Sequence, residues 1–285
     1  MRHAVAVALA IFVVACTGDG AANTTVSNAE TTTSSPNSTS TLPPVVECPG
    51  EGEFEEGGGI ADIDVTESDS STIGRISWET SDRCETFHFD FETSEGAPAT
   101  TVPNMSIDHL DSFQVVRVGI DVDASVITDQ LVETDLVERL YVVRSLDGGM
   151  FVDLHLSQPA AVRATTSSSP ARLSVDLRPG FVPFVGESKI DSQVVLVSPP
   201  ANAEVGTPTL ASGYARTFEG TVVVLATQGN SIVTQTETTA ADYLETWGEF
   251  RVELRLPTGV VSVFFGERSP DDGSLDGLNV ELIVS

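Results

Sequence analysis

From residue 73 onward the hydrophobic positions recur with a period of two. Phe87, Phe89 and Phe91 alternate with His88 and Asp90, and Val116, Val118, Ile120 and Val122 alternate with Arg117, Gly119 and Asp121. Successive side chains on a strand point to opposite faces, so each run predicts a strand with one face in a core. Leu140 and Val142 continue the pattern, as do Val152, Leu154 and Leu156, and Asp147-Gly148-Gly149 between them predicts a hairpin turn. Leu173, Val175 and Leu177 form another such run, which stops at Pro179-Gly180. Residues 127–137 fit either a short helix or a strand, and their β-branched content favours the strand.

Pro179, Gly180, Pro183, Gly186, Glu187 and Lys189 mark a boundary at residues 179–192, after which Val194-Val195-Leu196-Val197 opens a second set of strands. The set continues at residues 210–215, 221–227, 231–236, 249–256, 260–267 and 278–284. About seven strands in about 93 residues is the size of an immunoglobulin-like sandwich. No cysteine falls in this region, so packing alone must hold it, with Phe218, Trp247, Phe250, Phe264 and Phe265 as the expected heavy core members or sheet-end plugs. The fold class predicted is all-β, two β-sandwich domains in tandem after a disordered tether.

The amino end reads differently. In residues 1–15 a positive start at Arg2 precedes an apolar stretch that is too short for a bilayer span, which needs about 20 residues. It has the character of a secretory signal, and its end, Val13-Val14-Ala15-Cys16, resembles the bacterial lipobox. Small residues there admit the peptidase, and the Cys16 thiol would take the lipid and become the new terminus. Two acyl chains hold a protein on a membrane where one is marginal. Residues 17–46 then contain 13 Ser/Thr and no aromatic, a composition that cannot offset its ordering entropy. As a flexible coil that tether would reach about 30 Å.

Composition narrows the function. The chain has 42 acidic against 14 basic side chains, a formal charge of −28, and Lys189 as its only lysine. Phosphate recognition needs basic patches, so nucleic-acid binding is excluded as an expectation. Four histidines and three cysteines offer little for a metal cluster. With Cys16 assigned to lipid, Cys48 and Cys84 remain, and two cysteines outside the reducing cytoplasm are expected to pair. That bridge would pin the Gly/Glu-rich lead-in, residues 50–59, and contribute about 3 kcal/mol by the chain-entropy argument.

Several separated motifs carry a resemblance. Ser198-Pro199, the run Ala211-Ser212-Gly213-Tyr214-Ala215-Arg216-Thr217-Phe218-Glu219-Gly220-Thr221-Val222, then Gly248-Glu249-Phe250, and Gly266-Glu267-Arg268-Ser269-Pro270-Asp271-Asp272-Gly273-Ser274 resemble the immunoglobulin-like domain associated with bacterial spore germination, over residues 194–285. Residues 74–179 are similar to the AMIN-like domain of actinobacterial lipoproteins. The similarity rests on residues 87–91, Val137-Glu138-Arg139-Leu140-Tyr141-Val142-Val143-Arg144, Phe151-Val152-Asp153-Leu154-His155-Leu156 and Ser169-Pro170-Ala171-Arg172-Leu173. These resemblances imply β-sandwiches, an envelope location and association with peptidoglycan, and neither family supplies catalytic residues to carry over.

The candidate sites are sparse. His88 and His155 alternate with core positions and are expected to face solvent, and His109 is expected in a loop. No GxSxG-like nucleophile elbow supports a Ser-His-Asp triad. The loop from Ser269 through Asp271, Asp272 and Asp276 to Gly277 has oxygen ligands for Ca²⁺ but lacks EF-hand spacing, so a plain turn is expected; Asp62 and Asp64 are weaker still. Glu219, beside the expected core residue Phe218, is expected to fix a corner of the sandwich by bonding Arg216 or a backbone amide near Ser269. No catalytic, cofactor-binding or metal-binding residue is assigned, and no cofactor.

The domains expected are a lipoprotein signal peptide at 1–15, a lipid-anchored linker at 16–46, an AMIN-like sandwich at 47–182 and an immunoglobulin-like sandwich at 190–285. The function expected is that of a non-catalytic lipoprotein on the outer face of the cytoplasmic membrane. It would bind or scaffold peptidoglycan or another envelope protein, with a link to germination or wall maintenance. The rival readings are an envelope hydrolase or glycan-processing enzyme, and a ligand sensor that signals through a membrane partner.

Overall fold

The period-two runs become strands because each can bury one row of side chains while its backbone pairs laterally. The computed structural model describes residue 48 and residues 50–285 apart from 82, 111 and 113. The predicted signal, Cys16 and the Ser/Thr-rich linker therefore lie outside the described residues. In chain order the first strands are β1 (Gly59–Ile63), β2 (Thr72–Ser81), β3 (Cys84–Glu92), β4 (Met105–His109), β5 (Val115–Ile120), β6 (Ala124–Ser125), β7 (Asp129–Leu131), β8 (Val137–Arg144), β9 (Met150–Leu156), β10 (Ala160–Ser167) and β11 (Arg172–Pro179). After the boundary come β12 (Lys189–Ile190), β13 (Val194–Ser198), β14 (Glu204–Val205), β15 (Thr209–Ala215), β16 (Thr221–Gln228), β17 (Ser231–Thr239), β18 (Trp247–Leu254), β19 (Gly259–Arg268) and β20 (Leu275–Val284). A 3₁₀ turn, Phe218–Gly220, precedes β16.

These strands form three sheets. One has the order β10-β11-β3-β2-β6, a second β14-β20-β19-β16-β17, and the third runs β1-β4-β5-β9-β8-β18-β15-β13-β12, with β7 beside β8. The first sheet packs on the β1-to-β8 half of the third. Phe87, Phe89, Phe91, Leu173 and Val175 from one side meet Ile107, Val118, Leu140, Val152 and Leu154 from the other. The remaining half of the third sheet packs on the second sheet, with Val194, Leu196, Phe250, Val252, Val224, Phe265 and Leu282 in the core. The protein is all-β, and its C-terminal sandwich is immunoglobulin-like.

One sheet thus serves both sandwiches. The join is a short parallel pairing of β8 with β18, in which Trp247 lies opposite Val143 and Gly248 opposite Arg144. The described residues accordingly form a single compact unit.

Local details refine the expectations. Within residues 127–137 the expected strand is confined to β7, and the rest is irregular up to Val137, which opens β8. His109 ends β4 rather than lying in a loop, and it is buried. Phe218 is not a core residue: it is 57 % exposed, because the positive φ of Glu219 (54°) and Gly220 (69°) turns the chain outward at that corner. Phe250 and Phe265 are core members, whereas Trp247 packs at the join and Phe264 on the outer face of its sheet.

The Cys48–Cys84 disulfide forms, with a Cα–Cα distance of 5.4 Å, and ties the lead-in to the start of β3. Arg163 holds the same segment by donating to the Gly50 carbonyl at 3.0 Å and by stacking on Phe54, 4.6 Å from the ring centroid. Reduction of the bridge is expected to destabilise the protein by about 3 kcal/mol, lowering its Tm by roughly 6–12 °C. Thermal melts with and without dithiothreitol measure this, and coincident melts would show that Arg163 and Phe54 hold the lead-in alone.

Candidate functional site

The strands on either side of the join carry large side chains on the face turned away from their own cores. Tyr141 and Val143 of β8, Phe151 of β9, Val195 and Val197 of β13, Tyr214 of β15 and Trp247 of β18 make one buried cluster, separate from both sandwich cores. Tyr141 is its hub, with ring centroids 5.0 Å from both Tyr214 and Trp247 and 5.2 Å from His155. Edge-on and tilted contacts of this kind add roughly 0.5–1.5 kcal/mol each beyond the area they bury. Hydrogen bonds frame the cluster: Thr246 Oγ1 donates to the Val142 carbonyl at 2.6 Å and Trp247 Nε1 to Asp129 Oδ1 at 3.3 Å.

Charges are buried beside these rings. Arg117 of β5 donates through Nε and an Nη to the two carboxylate oxygens of Asp153, at 2.8 and 2.7 Å, with its guanidinium 3.7 Å from the Phe151 ring centre. Burial opposes the charge on Arg117, but Asp153 outweighs it and holds the guanidinium protonated, its pKa raised. Burial likewise pushes the Asp153 carboxyl up, and Arg117 pulls it back. His155 and Tyr214 share a short hydrogen bond across the seam. Burial, and then the nearby Arg117 and Arg139, push the His155 imidazole down to about 3, while burial raises the Tyr214 phenol.

At one end of the seam both sandwiches open onto a groove of about 440 Å³. Asn104, Ser106, Gly119 and Asp121 come from the first sandwich, Glu249 and Arg251 from the second, and Phe151 and Arg117 from the seam itself. Gly119 keeps it open, since a Cβ there would stand 2.7 Å from Ser106 Oγ. Glu249 fixes the far wall: its carboxylate accepts from Ser145 Oγ at 3.2 Å, from the Leu146 amide at 3.0 Å and from Arg251 Nε at 3.0 Å. Arg251 also reaches Asp147 at 2.9 Å, so the β8–β9 hairpin is strapped to the second sandwich. This is an open polar surface with a rigid frame, suited to hydrogen bonding an uncharged or weakly charged polymer.

The residues singled out from sequence fall mostly elsewhere. His155 does not face solvent; it is 1 % exposed, because the second sandwich covers the face opposite the first core. His88 is partly buried, with Nδ1 2.9 Å from Ser174 Oγ. Glu219 is exposed, and the corner bond it was expected to make comes from Glu267, whose Oε2 accepts the Phe218 amide at 2.6 Å. Asp272 accepts from the Ser274 amide at 3.0 Å and from Ser274 Oγ at 2.7 Å, and these bonds, the side-chain one foremost, lower its pKa within an exposed turn. Asp62 lies exposed in β1 and Asp64 just beyond it. Among the described residues, no group of three or more His, Cys, Asp or Glu is placed to hold a metal ion.

Arg117, Tyr141, Asp153, Tyr214 and Arg251 were missed as a set. Of these only Tyr141 carries a local signal: Leu140-Tyr141-Val142-Val143 is apolar at every position, the mark of a strand buried on both faces.

Comparison with protein families finds that residues 193–274 match Gmad2, the immunoglobulin-like domain of bacterial spore germination. The matched stretch spans β13 to β19 and so includes Tyr214, Trp247, Glu249 and Arg251. Comparison with the curated proteins finds no match, and comparison with the solved structures finds none.

The buried imidazole makes stability depend on pH. Below about pH 6.5 the unfolded chain protonates His155, whereas the folded chain does not until about pH 3. The unfolded state therefore binds the extra proton in that window, and stability falls on acidification by up to about 1.4 kcal/mol per pH unit. Urea titrations of wild type and His155→Gln at several pH values are expected to show a shallower pH slope for the variant. Equal slopes would place His155 in contact with water and contradict the closed seam.

Proposed function

We propose that this protein is a non-catalytic, lipid-anchored module of the bacterial envelope that holds peptidoglycan in the groove at its seam. The observation that carries the reading is that the groove takes its walls from both sandwiches while Arg117, Glu249 and Arg251, three of the four charged residues that line it, are already engaged with protein, and Asp121 is exposed. Asp153 is saturated by Arg117, and Glu249 by Ser145, Leu146 and Arg251. Groups held this way orient a surface; they are not poised to exchange protons with a substrate. Asn104, Ser106 and Asp121 then offer hydrogen bonds to a glycan or its peptide.

Location follows from independent features. The Val13-Val14-Ala15-Cys16 end supports export and acylation at Cys16, and the Cys48–Cys84 bridge suits an oxidising compartment outside the cytoplasm. The similarity of residues 74–179 to AMIN-like domains supports wall association, and the family matched by residues 193–274 supports a place in germination or wall maintenance. With a formal charge of −28 the protein would gain nothing from an ionic grip on an acidic wall, so recognition rests on polar contacts.

The chain is expected to co-sediment with purified peptidoglycan at physiological salt, and binding is expected to persist as salt rises. Ser106→Trp fills the groove and is expected to abolish sedimentation without changing the Tm. Cells fed an alkyne-tagged palmitate are expected to label the wild type but not Cys16→Ala. Failure of the wild type to sediment would end the peptidoglycan reading.

A further inference from the structure

A second surface lies on the C-terminal sandwich, away from the seam. Along β16 the side chains of Val222, Val224 and Ala226 enter the core, so Val223 and Leu225 point to the outer face. There they meet Phe264, opposite Leu225 in register, and the three form an apolar cluster of their own. Gln235, Glu237, Asn279 and Glu281 around it are exposed, whereas the three apolar side chains themselves are 3–9 % exposed. Gly266 lies opposite Val223 and adds no side chain; a Cβ there would stand 2.5 Å from Phe264 Cζ, which shows the ring lying across the glycine.

Phe218, exposed at the corner and fixed by its bond to Glu267, closes one end of this trough. With Thr221, Val223, Glu237, Glu267 and Arg268 it bounds a cavity of about 180 Å³, room for one aliphatic side chain. The rim is acidic. Glu237 and Glu267 line it and Glu219 is exposed next to Phe218 in the chain, while Arg268, which also lines it, donates to the Gly273 carbonyl at 3.1 Å. An aromatic wall at Phe218, a floor at Val223 and the two carboxylates of Glu237 and Glu267, against one guanidinium already bonded to a carbonyl, fit an anchor residue flanked by cations.

We propose that this pocket docks a basic polypeptide segment through a single apolar side chain. Charge complementarity selects that occupant over a second copy of the chain, which would bring 42 more acidic residues against 14 basic ones. The proposal stands apart from the peptidoglycan reading, since it shares no residue with the groove.

The test is titration of the ¹⁵N-labelled chain with three capped tripeptides: acetyl-Lys-Leu-Lys-amide, acetyl-Lys-Ser-Lys-amide and acetyl-Glu-Leu-Glu-amide. The first is expected to shift the amides of Phe218, Val223, Glu237 and Arg268 saturably, with at least fivefold weaker binding of the other two. Phe218→Ala and Glu237→Lys alter exposed side chains, and each is expected to weaken the first peptide at least fivefold while leaving distant amides unmoved. Three equal responses, shifts confined to other surfaces, or concentration-dependent shifts without peptide, which would mean self-association, each overturn the proposal.

Discussion

A strand at the edge of a sheet exposes a row of unpaired amides and carbonyls; β7 covers residues 139–141 of β8, and the stretch at Val143 and Arg144 would be such an edge if the first sandwich stood alone. Here β18 of the second sandwich lies against it, and the backbone pairing of Trp247 with Val143 and Gly248 with Arg144 continues one sheet through both bodies. Two register pairs are too few to hold by themselves. The ring cluster of Tyr141, Tyr214 and Trp247 closes over them, so backbone pairing sets the register and apolar burial supplies the stability. The groove exists only because of this join.

The buried charges act on specificity more than on strength. A desolvated ion pair such as Arg117–Asp153 gains little over an apolar pair of the same shape, but losing either partner is costly. Both partners lie in the first sandwich, opposite each other on β5 and β9, so the pair fixes that register, and the polar contact that a shift of the second sandwich would break is the one between His155 and Tyr214. His155 Nε2 and the Tyr214 hydroxyl supply each other with a polar partner where both side chains are buried. Glu249 likewise ties the β8–β9 hairpin to the second sandwich by accepting bonds from Ser145 and Leu146.

The fold was legible in the sequence to the extent that one face of each strand was polar. Phe87-x-Phe89-x-Phe91 and the strands after residue 194 could be read from alternation alone, because burial on one face imposes a period of two. The candidate site was not legible in that way. Asp153 and His155 occupy positions that alternation assigns to solvent, and nothing within one sandwich reveals that another covers them. Phe218 fails for the opposite reason: its size suggests a core, but the left-handed turn at Glu219 and Gly220 sets it on the surface. Long-range packing and local backbone conformation decide these residues, and neither is written in a hydrophobic pattern.

A seam of this kind should make two sandwiches unfold as one. Scanning calorimetry of the chain tests it most directly. A single transition whose calorimetric and van't Hoff enthalpies agree is the result expected of a shared sheet sealed by buried rings and charges. Two separated transitions would mean that the sandwiches are independent beads and that the groove between them has no fixed shape.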